Sequence, residues 1–250
     1  MEKYWLFLFL ALVSEIIGTI SGFGSSILFV PIASMVFDFK TVFGVTAVFH
    51  IFSNLSKITL FRNGIDKNIA IKLGIPAVIS VIIGAMLTKL LPAKTMELAM
   101  NVALILLSVY LVFNYKKPLA QTNTNLYIGG AASGFLAGLV GTGGAIRGIT
   151  LAAFHLGKDI FIATSALIDL GVDASRAVVY VAQGYFPREY LFLIPFLVGV
   201  SIVGSYLGKQ VLRYTSESVF RYIVLSIIIL TSLFQLSKVF GVYEMFVRPI

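Results

Sequence analysis

The sequence has little charge and no cysteine. Only 12% of its 250 residues are Asp, Glu, Lys or Arg, whereas a soluble domain has about a quarter. The absence of Cys excludes disulfides, thiolate metal sites and covalent sulfur chemistry. Only two histidines are present, at positions 50 and 155, and no nucleophile or metal motif accompanies them. We therefore predict that the protein is not an enzyme and holds no metal or cofactor.

Apolar residues are in excess. They make up 58% of the chain, and the mean hydropathy is +0.97, which excludes a soluble or disordered protein. Each crossing of a bilayer takes roughly 20 apolar residues, so the chain has room for about eight to ten crossings. We predict an all-α fold, a polytopic helical membrane protein in a lipid bilayer. The net charge of +8 has no polar basic face to carry it, so no nucleic-acid partner is predicted.

Charges and turn residues divide the apolar sequence into individual stretches. These lie at 4–20, 25–37, 42–61, 69–90, 95–114, 126–140, 145–156, 161–181, 190–212 and 219–236. No small-residue cleavage pattern ends the first stretch, so we interpret it as a span and not as a secretory signal. The chain then divides into a first membrane unit (1–115), a polar linker (116–125), a second unit (126–240) and a C-terminal tail (241–250).

The two membrane units follow the same pattern. Matching residues recur 119 positions apart, as in Gly22 and Gly141, Gly24 and Gly143, His50 and Asp169, Asn54 and Asp173, Lys57 and Arg176, and Pro76 and Pro195. After one inserted residue the offset becomes 120, as in Gly84 and Gly204. This constant offset predicts two homologous repeats.

Glycines interrupt the first apolar stretch of each repeat. The interruptions, which we call the first and second breaks, contain Gly22, Gly24, Ser25 and Ser26, and Gly141, Thr142, Gly143 and Gly144. The pieces that follow, 25–37 and 145–156, are too short to cross a bilayer, and we predict half-helices. If each stretch enters and returns as a hairpin, the repeats are inverted. If each crosses once, they are parallel. The distribution of Lys and Arg hardly distinguishes the two, but segment length favours inversion.

The breaks are candidates for anion binding. Backbone groups left unpaired inside a membrane are tolerated only in protein or a wet cavity. We predict that the N–H groups after each break point into a central cavity and hold an anion at two half-helix N-termini. The alternative is close helix packing through small residues.

Polar side chains inside the apolar stretches mark the same region. His50, Asn54 and Lys57 share one helical face, and Asp169, Asp173 and Arg176 share the equivalent face of the second repeat. Arg147 follows the second break, where its counterpart Leu28 is apolar. A guanidinium is suited to an oxyanion. We predict that Arg147, Lys57 and Arg176 bind substrate with the two breaks.

Several of these residues also have a structural interpretation. Lys57 and Arg176 lie near span ends and could extend to the headgroups. His50 is either a satisfied interior group or a coupling residue, and Asn54 is a further candidate for coupling. Glu15 precedes the first break, but its neighbours suggest no partner.

Two aspartates of the second repeat also have two possible roles. Asp169 and Asp173 are either counter-ions of Arg147 and Arg176 or carriers of a coupled proton.

The breaks resemble those of the sulfite exporter family TauE/SafE, whose members have a Gly-rich segment near the start of each of two homologous halves. The matching stretches are SGFGSSILFVP at 21–31 and GLVGTGGAIR at 138–147. The sequence departs from the family pattern at Ser25 and Ser26, which replace part of the glycine run, and at Thr150, which stands where a proline matching Pro31 would be. The likeness in segment order covers about residues 8–238. The resemblance implies export of sulfite or a small organosulfur anion across the cytoplasmic membrane of a prokaryote.

We therefore predict a secondary transporter of a small oxyanion, such as sulfite or an organosulfonate, that works by alternating access. An anion channel on the same scaffold and a membrane subunit of a larger transport complex are the alternatives. A homo-oligomer is compatible with the sequence.

Overall fold

The computed structural model describes residues 2–22, 24–33, 36–62, 64–92 and 119–216, with isolated positions at 95, 96, 98, 99, 102, 106, 219 and 226. The predicted spans at 95–114 and 219–236, the first part of the linker and the tail at 241–250 lie outside the described residues, apart from those positions.

The regular structure of the described residues is entirely helical. The helices are α1 (Glu2–Ser21), α2 (Ser26–Ala33), α3 (Phe39–Leu60), α4 (Lys67–Leu87), α5 (Asn123–Val140), α6 (Gly144–Ala152), α7 (Lys158–Ala182) and α8 (Leu193–Arg213), with 3-10 turns at Thr88–Leu90 and Arg188–Tyr190. By length and composition, α1, α3, α4 and α8 are able to cross a membrane. The prediction of an all-α protein with several apolar spans is confirmed for this part of the chain.

Polar residues at the helix starts define where the apolar runs become helical. The Asp38 carboxylate accepts hydrogen bonds from the backbone N–H groups of Lys40 and Thr41, and Asp66 accepts one from Ile69. These side chains satisfy backbone donors that lack a partner within the helix.

Small residues allow α4 and α5 to pack closely side by side. A Cβ added to Gly130, Gly134 or Gly138 would lie 2.1–2.2 Å from a carbonyl oxygen of α4. Gly204 and Gly208 of α8 pack against α1, where an added Cβ would lie 2.7 Å from a side-chain carbon of Glu15 or Thr19. These glycines therefore serve helix packing, because any larger residue would push the helices apart.

The longest helices, α3 and α7, pack against each other in opposite directions. The ring of Phe43, near the start of α3, stacks on Tyr180 near the end of α7. In the middle, Asn54 donates a hydrogen bond to Asp173 at 2.7 Å. Beyond the end of α3, the Asp66 N–H donates to Thr164 near the start of α7. The polar faces of the two helices therefore meet.

The segments on either side of each glycine break contact each other. Phe7 of α1 contacts Phe29 of α2 at a ring distance of 5.5 Å, and a Cβ on Gly18 would meet the Ser25 backbone. At the second break, Gly143 lies against the Ser133 carbonyl. The half-helices α2 and α6 have 8 and 9 residues, fewer than the predicted stretches.

Candidate functional site

The two glycine breaks meet at a buried cavity. Ser26 Oγ and Thr142 Oγ1 lie 3.5 Å apart, and the first residues of α2 and α6 face the same space. That space has a volume of about 320 Å³, including its opening. Its lining contains most of the predicted site residues: Gly24, Ser26, His50, Asn54, Lys57, Gly141, Gly143, Gly144, Arg147, Asp169, Asp173 and Arg176.

Three predicted residues lie beside this cavity. Gly22 packs against Phe161 and lines a smaller adjoining space, Ser25 lies between Glu15 and His50, and Thr142 contacts Ser26. The sequence pattern thus identified residues that the fold brings together.

Arg147 of α6 forms an ion pair with Asp169 of α7. The Arg147 guanidinium is buried, and its Nε donates a hydrogen bond to Ser165 Oγ at 3.0 Å. Ser165 in turn donates to the carbonyl of Gly22 at 2.8 Å. A Cβ added to Gly24 would lie 3.4 Å from the Asp169 carboxylate. The ion pair of the second half therefore faces the first break.

Arg176 of α7 holds the second break in place. Its side chain is 2% exposed, so it does not extend to the headgroups. Arg176 binds the Asp173 carboxylate at 2.6 Å and donates to the carbonyls of Gly141 and Ala137. A cation at the last carbonyls of a helix also interacts favourably with the helix dipole. Asp173 is shared, because Asn54 donates to its second oxygen.

Glu15 is fully buried and pairs with Lys57, a partner that its sequence neighbours did not suggest. Lys57 Nζ lies 2.9 Å from Glu15 Oε1, and the hydroxyls of Ser25, Ser53 and Ser205 donate to the same carboxylate at 2.7–2.9 Å. These partners come from α3, α8 and the residue before α2, which no local spacing in the sequence connects. Lys57 is buried as well and does not reach the headgroups.

The hydrogen bonds around His50 define its tautomer. A guanidinium can only donate, so His50 Nδ1, 3.3 Å from Arg176 Nη2, is the acceptor. The proton of the neutral ring then lies on Nε2, which donates to Ser25 Oγ at 2.9 Å. The Ser25 hydroxyl donates to Glu15. His50 is a satisfied interior group, and it connects the Glu15 and Arg176 clusters.

Each cation in this cluster has a carboxylate partner. The pairs are Lys57 with Glu15, Arg147 with Asp169, and Arg176 with Asp173. Both aspartates are paired as the counter-ion interpretation predicts, and their role in coupling stays a prediction. With neutral His50, the three pairs carry no net charge.

Two hydroxyl residues of the site were not predicted. Ser53 binds the Lys57–Glu15 pair, and Ser165 binds Arg147. Ser53 precedes Lys57 by four residues and Ser165 precedes Asp169 by four, so helical spacing contains the signal that would have identified them.

Together, the helices, the apolar exterior and the buried polar cavity define a multi-pass helical membrane protein. The sequence model of the sulfite exporter TauE/SafE family matches residues 6–234 of the chain. The chain belongs to this family of membrane transporters, as the resemblance of the breaks predicted. No curated protein and no solved structure matches it.

Proposed function

We propose that the protein is a secondary transporter that exports a small oxyanion, sulfite or an organosulfonate, across the cytoplasmic membrane of a prokaryote. The observation that carries this proposal is the shared cavity at which the N-terminal ends of α2 and α6 meet Arg147. Helix N-termini and guanidinium groups are both good oxyanion ligands.

Inverted repeats would give this transporter its alternating access. Under the 119-residue offset α1 to α4 correspond to α5 to α8, so α3 and α7 are equivalent helices. Their antiparallel packing, and the contact between equivalent positions Asn54 and Asp173, support inversion, because parallel repeats would give parallel helices. Each repeat then begins with a Gly-broken helical hairpin. One repeat would rock against the other around the central cavity.

The ion pairs suggest how the empty carrier returns. A buried guanidinium without a partner is strongly unfavourable, and Asp169 neutralises Arg147 in the empty site. The arriving anion would displace the Asp169 carboxylate, and departure of the anion would restore the pair. An inside-negative potential favours outward movement of the anion by about 2.3 kcal/mol per charge per 100 mV, so a coupled proton is not required.

The other site residues have supporting roles in this proposal. Arg176 holds the second break and adds positive potential, as does Lys57 along the path. His50, Asn54 and Asp173 connect the halves and are the candidates for coupling if protons accompany transport.

Replacement of Arg147 tests the site. In proteoliposomes we expect Arg147→Ala to lower sulfite flux by about 10- to 100-fold, the equivalent of one charge-assisted hydrogen bond. Arg147→Lys should retain an intermediate rate, because it keeps the charge and loses the planar fork. Arg188→Ala is the control, since Arg188 is exposed at the start of a 3-10 turn away from the cavity.

Wild-type rates in both Arg147 variants would contradict the proposed site. Saturable flux with counter-flow is the behaviour of a carrier, whereas single-channel current steps would identify an anion channel instead. Thermal shifts with sulfite, sulfate, thiosulfate, sulfoacetate and small carboxylates would then identify the preferred anion, because a ligand stabilises the state that binds it.

A further inference from the structure

A second, larger cavity lies where α3 ends and α7 begins. It has a volume of about 1,080 Å³, including open solvent. Among the described residues, its charged lining consists of Arg62, Lys158, Asp159 and Lys209, three cations and one carboxylate. We call this cavity the vestibule.

The positions of the two vestibule lysines are determined by helix ends. Lys209 Nζ donates to the carbonyl of Leu60 and lies 5.2 Å from the centre of the Phe61 ring. Lys158 Nζ donates to carbonyls at the end of α8, those of Leu212 and Thr215. Capping of these carbonyls accounts for where each lysine lies. It does not account for an open cavity with an excess of positive charge.

The vestibule lies about one helical turn from the anion site. Ile160 of α7 lines the vestibule, and the next residue, Phe161, is 2% exposed. A Cβ on Gly22 would lie only 2.7 Å from the Phe161 ring. One turn further along α7, Ser165 binds both the Gly22 carbonyl and Arg147. Phe161 therefore lies between the vestibule and the first break.

The opposite end of α7 is closely packed. The rings of Phe43, Tyr180 and Tyr185 stack with centroid distances of 5.5 and 5.8 Å. The Tyr180 hydroxyl donates to the carbonyl of Gly138 on α5. This aromatic stack occupies the position equivalent to the vestibule, so the two ends of the pathway differ.

We propose that the vestibule is an anion-binding antechamber, in which Arg62, Lys158 and Lys209 concentrate small anions before they pass Phe161. The role in transport rests on the proposed function, whereas the affinity of the vestibule for anions does not. A cavity with one dominant sign of charge raises the local concentration of oppositely charged solutes.

Thiol labelling tests the vestibule directly, because the natural chain contains no Cys. Ile160 is 39% exposed, so Ile160→Cys gives a single thiol in the vestibule. Leu191→Cys, 51% exposed beyond the other end of α7, is the control. Two methanethiosulfonates of similar size are compared, one bearing a sulfonate and the other a trimethylammonium. After normalisation to position 191, we expect the anionic reagent to react about tenfold faster at position 160.

Removal of the vestibule charge should abolish this preference. The quantity measured is the ratio of the labelling rate of the anionic reagent to that of the cationic reagent. We expect this ratio at position 160 to fall about tenfold when Arg62→Glu and Lys209→Gln are added to the Ile160→Cys protein. About 1 M salt should have the same effect on the unmodified vestibule. Sulfate or methanesulfonate should slow labelling at 160 and leave labelling at 191 unchanged. Equal rate ratios at the two positions, or a ratio that the charge variants leave unchanged, would overturn the proposal. Unfolding temperatures close to that of the unsubstituted protein would confirm that the variants are folded.

Transport measurements separate this proposal from the proposed function. Arg62→Glu is expected to raise the KM for sulfite several-fold at low ionic strength with kcat unchanged, because its effect is on capture. A wild-type protein that does not transport sulfite, but labels at position 160 with the anionic preference, would contradict the proposed substrate and support the antechamber.

Discussion

The two halves of the central cluster provide different chemistry from equivalent positions. The second half contributes Arg147 and Asp169, where the first half has Leu28 and His50. Glu15 of the first half pairs with Lys57, and its counterpart Gly134 packs against the backbone of α4. Residues 119 positions apart therefore differ in charge at these sites. Under the proposed function, the substrate-binding cation Arg147 therefore belongs to the second half.

The ion pair of Lys57 with Glu15 and the ion pair of Arg147 with Asp169 also differ in their exposure to solvent. Glu15 is completely buried among serine hydroxyls, whereas the Asp169 side chain is 12% exposed, the most of the three carboxylates. The pair of Lys57 and Glu15 connects helices, and the pair of Arg147 and Asp169 lies at the edge of the cavity. We expect substrate to compete with the second pair and not with the first.

Removal of the carboxylate from each of these two pairs tests this difference. It has the largest expected effect on the free energy of unfolding. Glu15→Gln and Asp169→Asn each remove the carboxylate partner of a buried cation, which should lower the free energy of unfolding by about 3–5 kcal/mol. Millimolar sulfite should restore part of the lost stability only in Asp169→Asn, because the anion can replace the missing carboxylate at Arg147. Thermal unfolding in detergent measures both effects.

Chloride at equal ionic strength is the control for general screening in that experiment. Equal stabilisation of the two variants by sulfite would show that the two pairs do not differ in access to substrate.

Alanine at the equivalent glycines Gly24 and Gly143 has an intermediate expected effect. A Cβ at Gly143 would lie 1.9 Å from the Ser133 carbonyl oxygen, so Gly143→Ala should cost about 1–3 kcal/mol by overpacking. Gly24 has a φ of +84°, which costs alanine about 1–2 kcal/mol, and the new methyl would approach the Asp169 carboxylate.

Gly24→Ala should therefore reduce sulfite affinity more than Gly143→Ala, and Gly143→Ala should reduce stability more. Chemical unfolding of the two variants checks the ranking by stability, and a sulfite titration of the same preparations checks the ranking by affinity. If Gly143→Ala weakened sulfite binding more than Gly24→Ala, the first break would not be the one that faces substrate.

Substitution of the helix-capping residue Asp38 has the smallest expected effect on stability. Asp38 caps α3 through its side chain, whereas Gly157, at the equivalent position before α7, makes no side-chain cap. Asp38→Ala should lower the free energy of unfolding by about 1 kcal/mol, and Asp38→Ser should restore most of it because serine also accepts from the helix N–H groups. Unfolding of both variants provides the measurement, and equal losses would exclude capping as the cause.

Local sequence pattern predicted the central helices well, because their signals are local. The stretch at 42–61 became α3 (Phe39–Leu60), and its start moved to the residue after the Asp38 cap. The shared face of His50, Asn54 and Lys57, and that of Asp169, Asp173 and Arg176, also followed from helical spacing. The choice of ion-pair partners did not follow, since Glu15 of α1 and Lys57 of α3 meet only through the tertiary fold, in which both helices pack on α8. Pairing of Arg147 with Asp169 likewise depends on how α6 meets α7.

The contact between Asn54 and Asp173 has a consequence for the ancestry of the molecule. In the proposed repeat these positions are equivalent, so in a symmetric dimer of identical units each residue would face its own copy. Two aspartates there could not both be ionised, and two asparagines would leave Arg176 without its carboxylate. A single chain holds an amide donor against an acid acceptor. If the repeat is as proposed, the single chain thus permits an unsymmetrical bond between an amide and a carboxylate at this position, which a symmetric homodimer of one unit could not form.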